Sequence, residues 1–321
     1  MLKTAVKPCL AAVAGAFLAL AANTASAQAD RPLRLVVITQ AGGAADQAAR
    51  LVGKQLSEVL GRTVLVENKP GAGGNIASQY VARSKADGDT LLVTSNNHTI
   101  NPALYKSPGY TTDDLAPVVQ IARGPSVVVI HPGVETRSIE ALIEAAKKNP
   151  VSYGSIGVGS GAHVVAECLK AATGAKLEHI PYKGGAPAVA DVVGGHIPVV
   201  FTTLASAGAH VRTERIQGLA VSSANRWPSV PEIPTLAEKG LGACTYETWL
   251  GIVAPKDTPP DVIARLNKDM SAIIKSDLVR TALAPQGYEP VGESVSHFAA
   301  MLAEDKKKTS KLIQEAGITA D

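Results

Sequence analysis

A short apolar strand, a glycine-dense turn and a helix follow one another three times in this chain, and that succession limits the folds open to it. The first pass runs through Leu33 to Ile38, the turn Gln40-Ala41-Gly42-Gly43-Ala44-Ala45-Asp46, and a helix over Ala44 to Leu60. Ala48, Leu51, Val52, Leu56 and Val59 recur there at helical spacing, and Gly61 supplies a C-terminal stop. The second pass is Val64 to Val66, a turn built by Pro70, Gly71, Gly73 and Gly74, and a helix over Ile76 to Arg83. The third is Val151 to Tyr153, the turn Gly157 to Gly161, and a helix over Ala162 to Thr173 closed by Gly174. Further strands are predicted at 90–94, 127–130, 177–180, 199–201, 218–221 and 250–254. Further helices are predicted at 138–148, 186–193, 261–275 and 294–316, with Ser138 as an N-cap. Alternation of this kind predicts an α/β fold.

The plan restarts near residue 151. It predicts two α/β lobes joined by two crossings, one near 127–130 and one near 248–254. Residues 28–127 and 248–321 would form lobe 1, and residues 128–247 lobe 2. The N-terminus is set apart from both. Lys3 and Lys7 precede an apolar run from Ala11 to Ala22, and Ala25-Ser26-Ala27 is an A-x-A cleavage site. The run falls short of the ~20 apolar residues of a membrane span. Residues 1–27 are therefore expected to be a cleaved signal peptide, with Gln28 the first mature residue and the periplasm the destination.

Composition narrows the partners. Without Lys3 and Lys7, 29 basic residues face 28 acidic ones, and no basic block occurs. Nucleic acid is a poor fit, because phosphate-led affinity needs clustered Lys and Arg. Aromatics are only 4%, so the cores must be aliphatic. Cys168 and Cys244 have no CxxC partner and no His at ligand spacing, so no metal site is expected. Export permits a disulfide between them, but their distance in space is not legible.

The first and third glycine turns each place free backbone N–H groups and the positive end of a helix dipole at the carboxyl edge of a strand. Such an edge holds an anion without a cationic side chain. The alternatives are a plain tight turn with Asp46 as first-turn stabiliser, and Ser160 as an ordinary N-cap. Ser160 and His163 also admit a nucleophile pair, but a GxGSG turn is not a G-x-S-x-G elbow. No G-x-x-x-x-G-K-[ST] occurs, and Gly71 to Ile76 fails the dinucleotide fingerprint at its third glycine. No cofactor is expected. Thr94-Ser95-Asn96-Asn97-His98 ends a strand in a cluster of donors, where open α/β sheets bind ligands.

Several blocks in order resemble one family. Arg62 to Ile76, RTVLVENKPGAGGNI, is similar to the V-E-N-[RK]-P-G-A-G-G-N signature of the periplasmic solute receptors of tripartite tricarboxylate transporters, the Bug family. Asp87 to Leu92, Asn101 to Tyr105 (NPALY), Pro181 to Gly184 (PYKG), Asp191 to Gly195, Val230 to Thr235 and Trp249 to Pro255 resemble further family blocks. The resemblance implies a two-lobed, type II periplasmic-binding-protein fold with a ligand cleft between lobes. It implies a small carboxylate held by backbone amides, hydroxyls and waters, and no catalysis. Carried over residue by residue, Gly42, Gly43 and Asp46 belong to the first carboxylate loop. Ser95 and Asn96 belong to the strand-end cluster, and Gly157, Ser160 and His163 to the loop of the second lobe. Tyr182 is expected at the cleft edge, although a structural role for PYKG is equally open.

Departures fall at the same places. The family's first loop reads P-F-x-P-G-G, whereas this chain has Ile38-Thr39-Gln40-Ala41-Gly42-Gly43. The family's F-D-N or F-G-N is here Phe201-Thr202-Thr203. Thr39, Gln40, Thr202 and Thr203 should make the wall more polar, and predict a ligand unlike the simple amino acids or dicarboxylates of relatives. The expected partners are one small carboxylate and the membrane components of a transporter, with the protein a monomer. Alternatives are a module feeding a sensor kinase, or a Ser/His hydrolase.

Overall fold

The structure is a computed structural model that describes residues 31–316. The expected signal peptide, residues 1–27, lies outside the described residues.

Ten strands form one continuous, curled mixed sheet. In chain order they are β1 (Leu33–Val37), β2 (Val64–Asn68), β3 (Thr90–Ser95), β4 (Leu115–Ile130) and β5 (Val151–Ser155). Then come β6 (Leu177–Pro181), β7 (Val199–Thr203), β8 (Gln217–Val221), β9 (Glu247–Pro255) and β10 (Glu289–Pro290). The helices are α1 (Ala44–Leu60), α2 (Asn75–Ala82), α3 (Asn97–Leu104), α4 (Ile139–Lys148) and α5 (Gly161–Thr173). They continue with α6 (Gly185–Val193), α7 (Leu204–Arg212), α8 (Pro260–Ile274), α9 (Asp277–Leu283) and α10 (Val295–Ala316). The strand order is β2-β1-β3-β9-β4-β7-β5-β6, with β8 and β10 also pairing with β4. Parallel pairs joined by helices lie at both ends, as β-helix-β connections require.

Strand β4 runs the width of the molecule. From Leu115 to Pro125 it pairs antiparallel with β9. From Ser126 to Ile130 it pairs with β7 and β8 instead. The sequence predicts only its last four residues. Pro117, Pro125 and Gly124 disguise the rest, and two register shifts against β9, at Pro117/Val119 and Gln120/Ala122, absorb the irregularity. A second correction concerns α3. A helical turn is expected from Asn101, but the helix begins at Asn97 and carries Pro102 inside it. Pro102, the sixth of the eight residues, has no N–H to give the His98 carbonyl, and Tyr110 Oη donates to that oxygen at 3.5 Å instead.

Each end of the sheet is covered on both faces. Leu35, Val37, Ala48, Val52 and Leu56 pack α1 against β1 together with Leu266 and Met270 of α8. Tyr153, Phe201, Leu142 and Val165 fill the corresponding layer between α4, α5 and the other end. A small cluster of Ile100, Leu104, Val164 and Ile313 joins α3, α5 and α10, so the C-terminal helix reaches across the crossing. Asn96 ties the same region. Its amide nitrogen donates to Tyr246 Oη at 2.8 Å and to the Glu247 carbonyl, and its Oδ1 accepts from Trp249 N–H.

Cys168 of α5 and Cys244, just before β9, form a disulfide with Cα atoms 5.5 Å apart. Spacing in sequence did not reveal this, since 76 residues separate them.

Candidate functional site

The carboxyl ends of β1, β3, β5 and β7 carry the predicted site residues: Thr39, Gln40, Gly42 and Gly43 after β1, Ser95 and Asn96 at β3, Gly157 and Ser160 after β5, Thr202 and Thr203 at β7. The second and third glycine turns have different duties. Asn68, the asparagine of VEN, donates to the Thr39 carbonyl at 3.0 Å and to Asp46 Oδ1 at 2.9 Å. Asn101 of NPALY donates to the Gly73 carbonyl at 2.9 Å and to Asn75 Oδ1 at 2.7 Å. The most distinctive sequence block is thus a brace that holds the first loop and locks onto α3.

In the first loop, Asp46 is buried and accepts from Gly42 N–H at 2.9 Å, from Asn68, and from Arg50. Burial alone would raise its pKa, but the bonds from Arg50, Gly42 and Asn68 outweigh that and hold it below the usual range. Gly43 N–H goes to the Gln40 carbonyl at 3.2 Å. The donors left at this helix end are the next amides of α1, which have no carbonyl one turn earlier to bond. Asp46→Ala should unpair Asn68, Arg50 and the Gly42 amide at once, a loss of about 2 kcal/mol. Urea unfolding measures it; an unchanged midpoint would show that the loop stands without the carboxylate.

The loop after β5 is braced from beneath by rings. His163 Nδ1 accepts from Gly159 N–H at 3.1 Å, and Ser160 Oγ accepts from His163 N–H and donates to the Gly157 carbonyl. Ser155 Oγ lies 2.7 Å from His179 Nε2 and meets both Gly157 N–H and its carbonyl. His163 stacks on His179 with centroids 4.0 Å apart, and His179 stacks on Tyr153. Burial, followed by the neighbouring His179 and Lys170, pushes the His163 pKa down to about 3. Glu167 Oε1 is 3.7 Å from His163 Nε2, an ion-pair distance, but a neutral imidazole makes no ion pair. Lys170 Nζ and Tyr153 Oη hold Glu167 instead. Since His163 Nδ1 is occupied by Gly159 and Ser160 Oγ meets only backbone, the two side chains are not joined as nucleophile and base.

Tyr182 donates to Asp191 Oδ2 at 2.7 Å, which fastens the PYKG turn to α6, and its hydroxyl pKa is pushed up to about 12 by burial and that carboxylate. Thr203 caps α7 by accepting from Ser206 N–H at 3.3 Å. Four hydroxyls along the strand ends behave differently. Thr39 Oγ1, Thr94 Oγ1, Ser126 Oγ and Thr202 Oγ1 are buried without a hydrogen-bond partner. Ser126 is absent from the sequence expectation; the only sign of it is its place where β4 changes partners. Buried polar atoms are nearly always paired, so each of these hydroxyls has capacity for a further partner; Thr112, Ser229 and Ser271 carry unpartnered hydroxyls away from these strand ends.

A cavity of about 610 Å3 opens elsewhere, between the β4–β9 crossing and α10. Arg123 bonds Glu289 at 3.0 Å and Glu247 at 3.5 Å, Asp305 accepts from Trp249 and Thr99, and Lys308 donates to the Thr245 carbonyl. Glu247, Glu289, Glu293, Glu304 and Asp305 outnumber Arg123 and Lys308 in its lining, which disfavours an acid, so the strand ends are the stronger site. Among the described residues no group of His, Cys, Asp and Glu has the arrangement of a metal centre, and no helix is long and apolar enough to cross a membrane.

Comparison with known proteins identifies the family and the fold. Residues 48–318 match the model of the tripartite tricarboxylate transporter family receptor. Protein BugT of Bordetella pertussis is 33% identical, over 96% of this chain and 97% of its own. The structure of R. palustris Rpa4515 with adipate superposes with a TM-score of 0.83 at 32% identity, covering 90% of this chain and 98% of that one. MatC from Rhodopseudomonas palustris with bound malate superposes at 0.79 with 25% identity, covering 88% and 99%.

Proposed function

This chain belongs to the tripartite tricarboxylate transporter receptor family, a family of periplasmic solute-binding receptors, and from that premise we propose that it captures one small carboxylic acid between the two halves of its sheet and hands it, unchanged, to a transporter of the tripartite type. The halves meet where β4 and β9 cross, near residues 125–126 and 246–247, and close on the ligand by bending there. The expected signal peptide sends the chain to the periplasm, where it works as a monomer.

The observation that carries this reading is the row of partnerless buried hydroxyls along the strand ends, Thr39, Thr94, Ser126 and Thr202, beside helix N-termini. Helix N-termini favour negative charge, and hydroxyls both donate and accept. Relatives support the ligand class: Rpa4515 holds adipate and MatC holds malate. The hydroxyl-rich wall favours an acid with polar groups along its chain. Thermal unfolding against mono-, di-, tri- and aromatic carboxylates tests the proposal. An acid at 100 times its Kd adds roughly 2.7 kcal/mol, a shift of a few degrees. A panel in which no carboxylate moves the transition would sink it.

A further inference from the structure

The cavity of about 610 Å3 between the β4–β9 crossing and α10 lies apart from the strand ends, and its charges suit a ligand of the opposite sign to an acid. Five carboxylates line it against two cations, Arg123 and Lys308. Arg123 is bonded to Glu289 at 3.0 Å, so Glu247 is left with a longer contact, 3.5 Å, to a guanidinium already engaged. Lys308 donates to the Thr245 carbonyl. Burial and the neighbouring Glu289 raise the Glu247 carboxyl, burial raises that of Asp305, and Arg123 and Lys308 do not cancel these shifts. The cavity is short of positive charge.

A second, independent observation is Gln120 of β4. It is 5% exposed and lines the same cavity. Its backbone carbonyl accepts from Gly292 N–H, but among the described residues its side-chain amide has no hydrogen-bond partner. Buried amides are nearly always paired, so this one has capacity for a donor brought by a ligand. The remaining wall is largely apolar, with Tyr246, Trp249, Val291 and Met301. The carboxylates are spread over separate elements, Glu247 on β9, Glu289 on β10, Glu304 and Asp305 on α10. Among the described residues no group of His, Cys, Asp and Glu is arranged to hold one metal ion. Carboxylates set apart along an apolar wall match several ammonium groups joined by methylenes better than a single point charge.

We propose that this cavity binds an aliphatic polyamine, with ammonium groups at Glu247 and at the α10 carboxylates and an N–H donated to the Gln120 amide oxygen. Thr245 to Glu247 lead into the crossing, so the amine would tie that segment to β10 and α10. The site is separate from the one at the strand ends and needs no acid bound there.

Isothermal titration of the purified protein with spermidine tests this, with butylamine and magnesium chloride at matched ionic strength for comparison. The expected result is one spermidine per chain, held roughly tenfold tighter than butylamine, which has one ammonium group, and than magnesium, which gives up its water reluctantly. Glu247→Gln should weaken spermidine about tenfold, whereas Glu58→Gln, which removes an exposed charge from α1, should leave it unchanged. Gln120→Met should also weaken it, and without spermidine should melt no lower than the parent, because it loses only an unpartnered amide; a glutamine that serves the fold alone would give a lower melt and unchanged affinity, and would overturn its part in the site. Should the Glu247 variant fail to fold, Glu304→Gln carries the same comparison. Spermidine held no tighter than magnesium, equal weakening by the Glu58 and Glu247 variants, or a titration without saturable heat overturns the site. Each of those results leaves the receptor reading standing, since no acid enters the experiment.

Discussion

At pH 4 the protein is expected to be less stable than at pH 7 by on the order of 5 kcal/mol. Two histidines carry the loss. His98 is fully buried, its Nδ1 has no partner, and burial above all, with Lys306 adding, pushes its pKa down to about 4. Asp113 opposes that shift without cancelling it. His163 is held at about 3. In the unfolded chain both titrate near ~6.5. As pH falls from there, the unfolded state takes up protons that the folded state refuses, so stability is complete above that value and declines through the window. The decline due to His98 ends below about 4, where the folded imidazole also charges. His179, lowered chiefly by burial, acts in the same sense, whereas the Asp305 and Glu247 carboxyls, raised by burial, act against it. Urea midpoints at unit steps of pH would show the slope. His163→Asn, which keeps an acceptor for the Gly159 amide, and His98→Leu should each flatten it. A stability constant from pH 7 to pH 4 would sink this account.

Reducing the Cys168–Cys244 bond should cost about 4 kcal/mol, because it frees a loop spanning 76 positions in the unfolded chain. For a chain of this size that is a fall in Tm of roughly 5–10 °C. The bond fastens α5, whose first turn supports the Gly157 loop, to the segment that leads into β9. Cys168→Ser with Cys244→Ser should melt near the reduced parent, and reductant should then have no further effect. Equal melting of oxidised and reduced protein would show that the bond contributes nothing.

Strand, turn and helix succession was legible because local rules govern it: α1 runs from Ala44 to Leu60 as its apolar spacing and Gly61 require, and Gly174 ends α5 in the left-handed conformation. Helix α7 was missed, since Leu204 to Arg212 is rich in small residues and shows no clear apolar face; its Thr203 cap was the available signal. Helix α9, over Asp277–Leu283, was missed for want of length, although Ser276 caps it. At the candidate site, sequence located the helix ends. It could not say which donors were already taken. That depends on Asn68 reaching Asp46 from 22 residues away and on His179 reaching Ser155 from 24, contacts that only the folded sheet creates.

The way β4 is shared also sets an order of events as the chain emerges from its N-terminus. Strands β5 to β8 and the last residues of β4 pair with one another and, through Val221, with Thr235, all within a continuous stretch from 126 to 235. Strand β3 must wait for β9 to cover its outer edge, as must the first part of β4. The half begun first is thus expected to be finished last. Until residues 247–255 arrive, it presents an open strand edge, which is the feature most prone to pair with other chains. A newly made molecule is therefore expected to be most exposed to aggregation over its earliest segment, and a helper that guards it should grip β3 and release only when β9 has crossed.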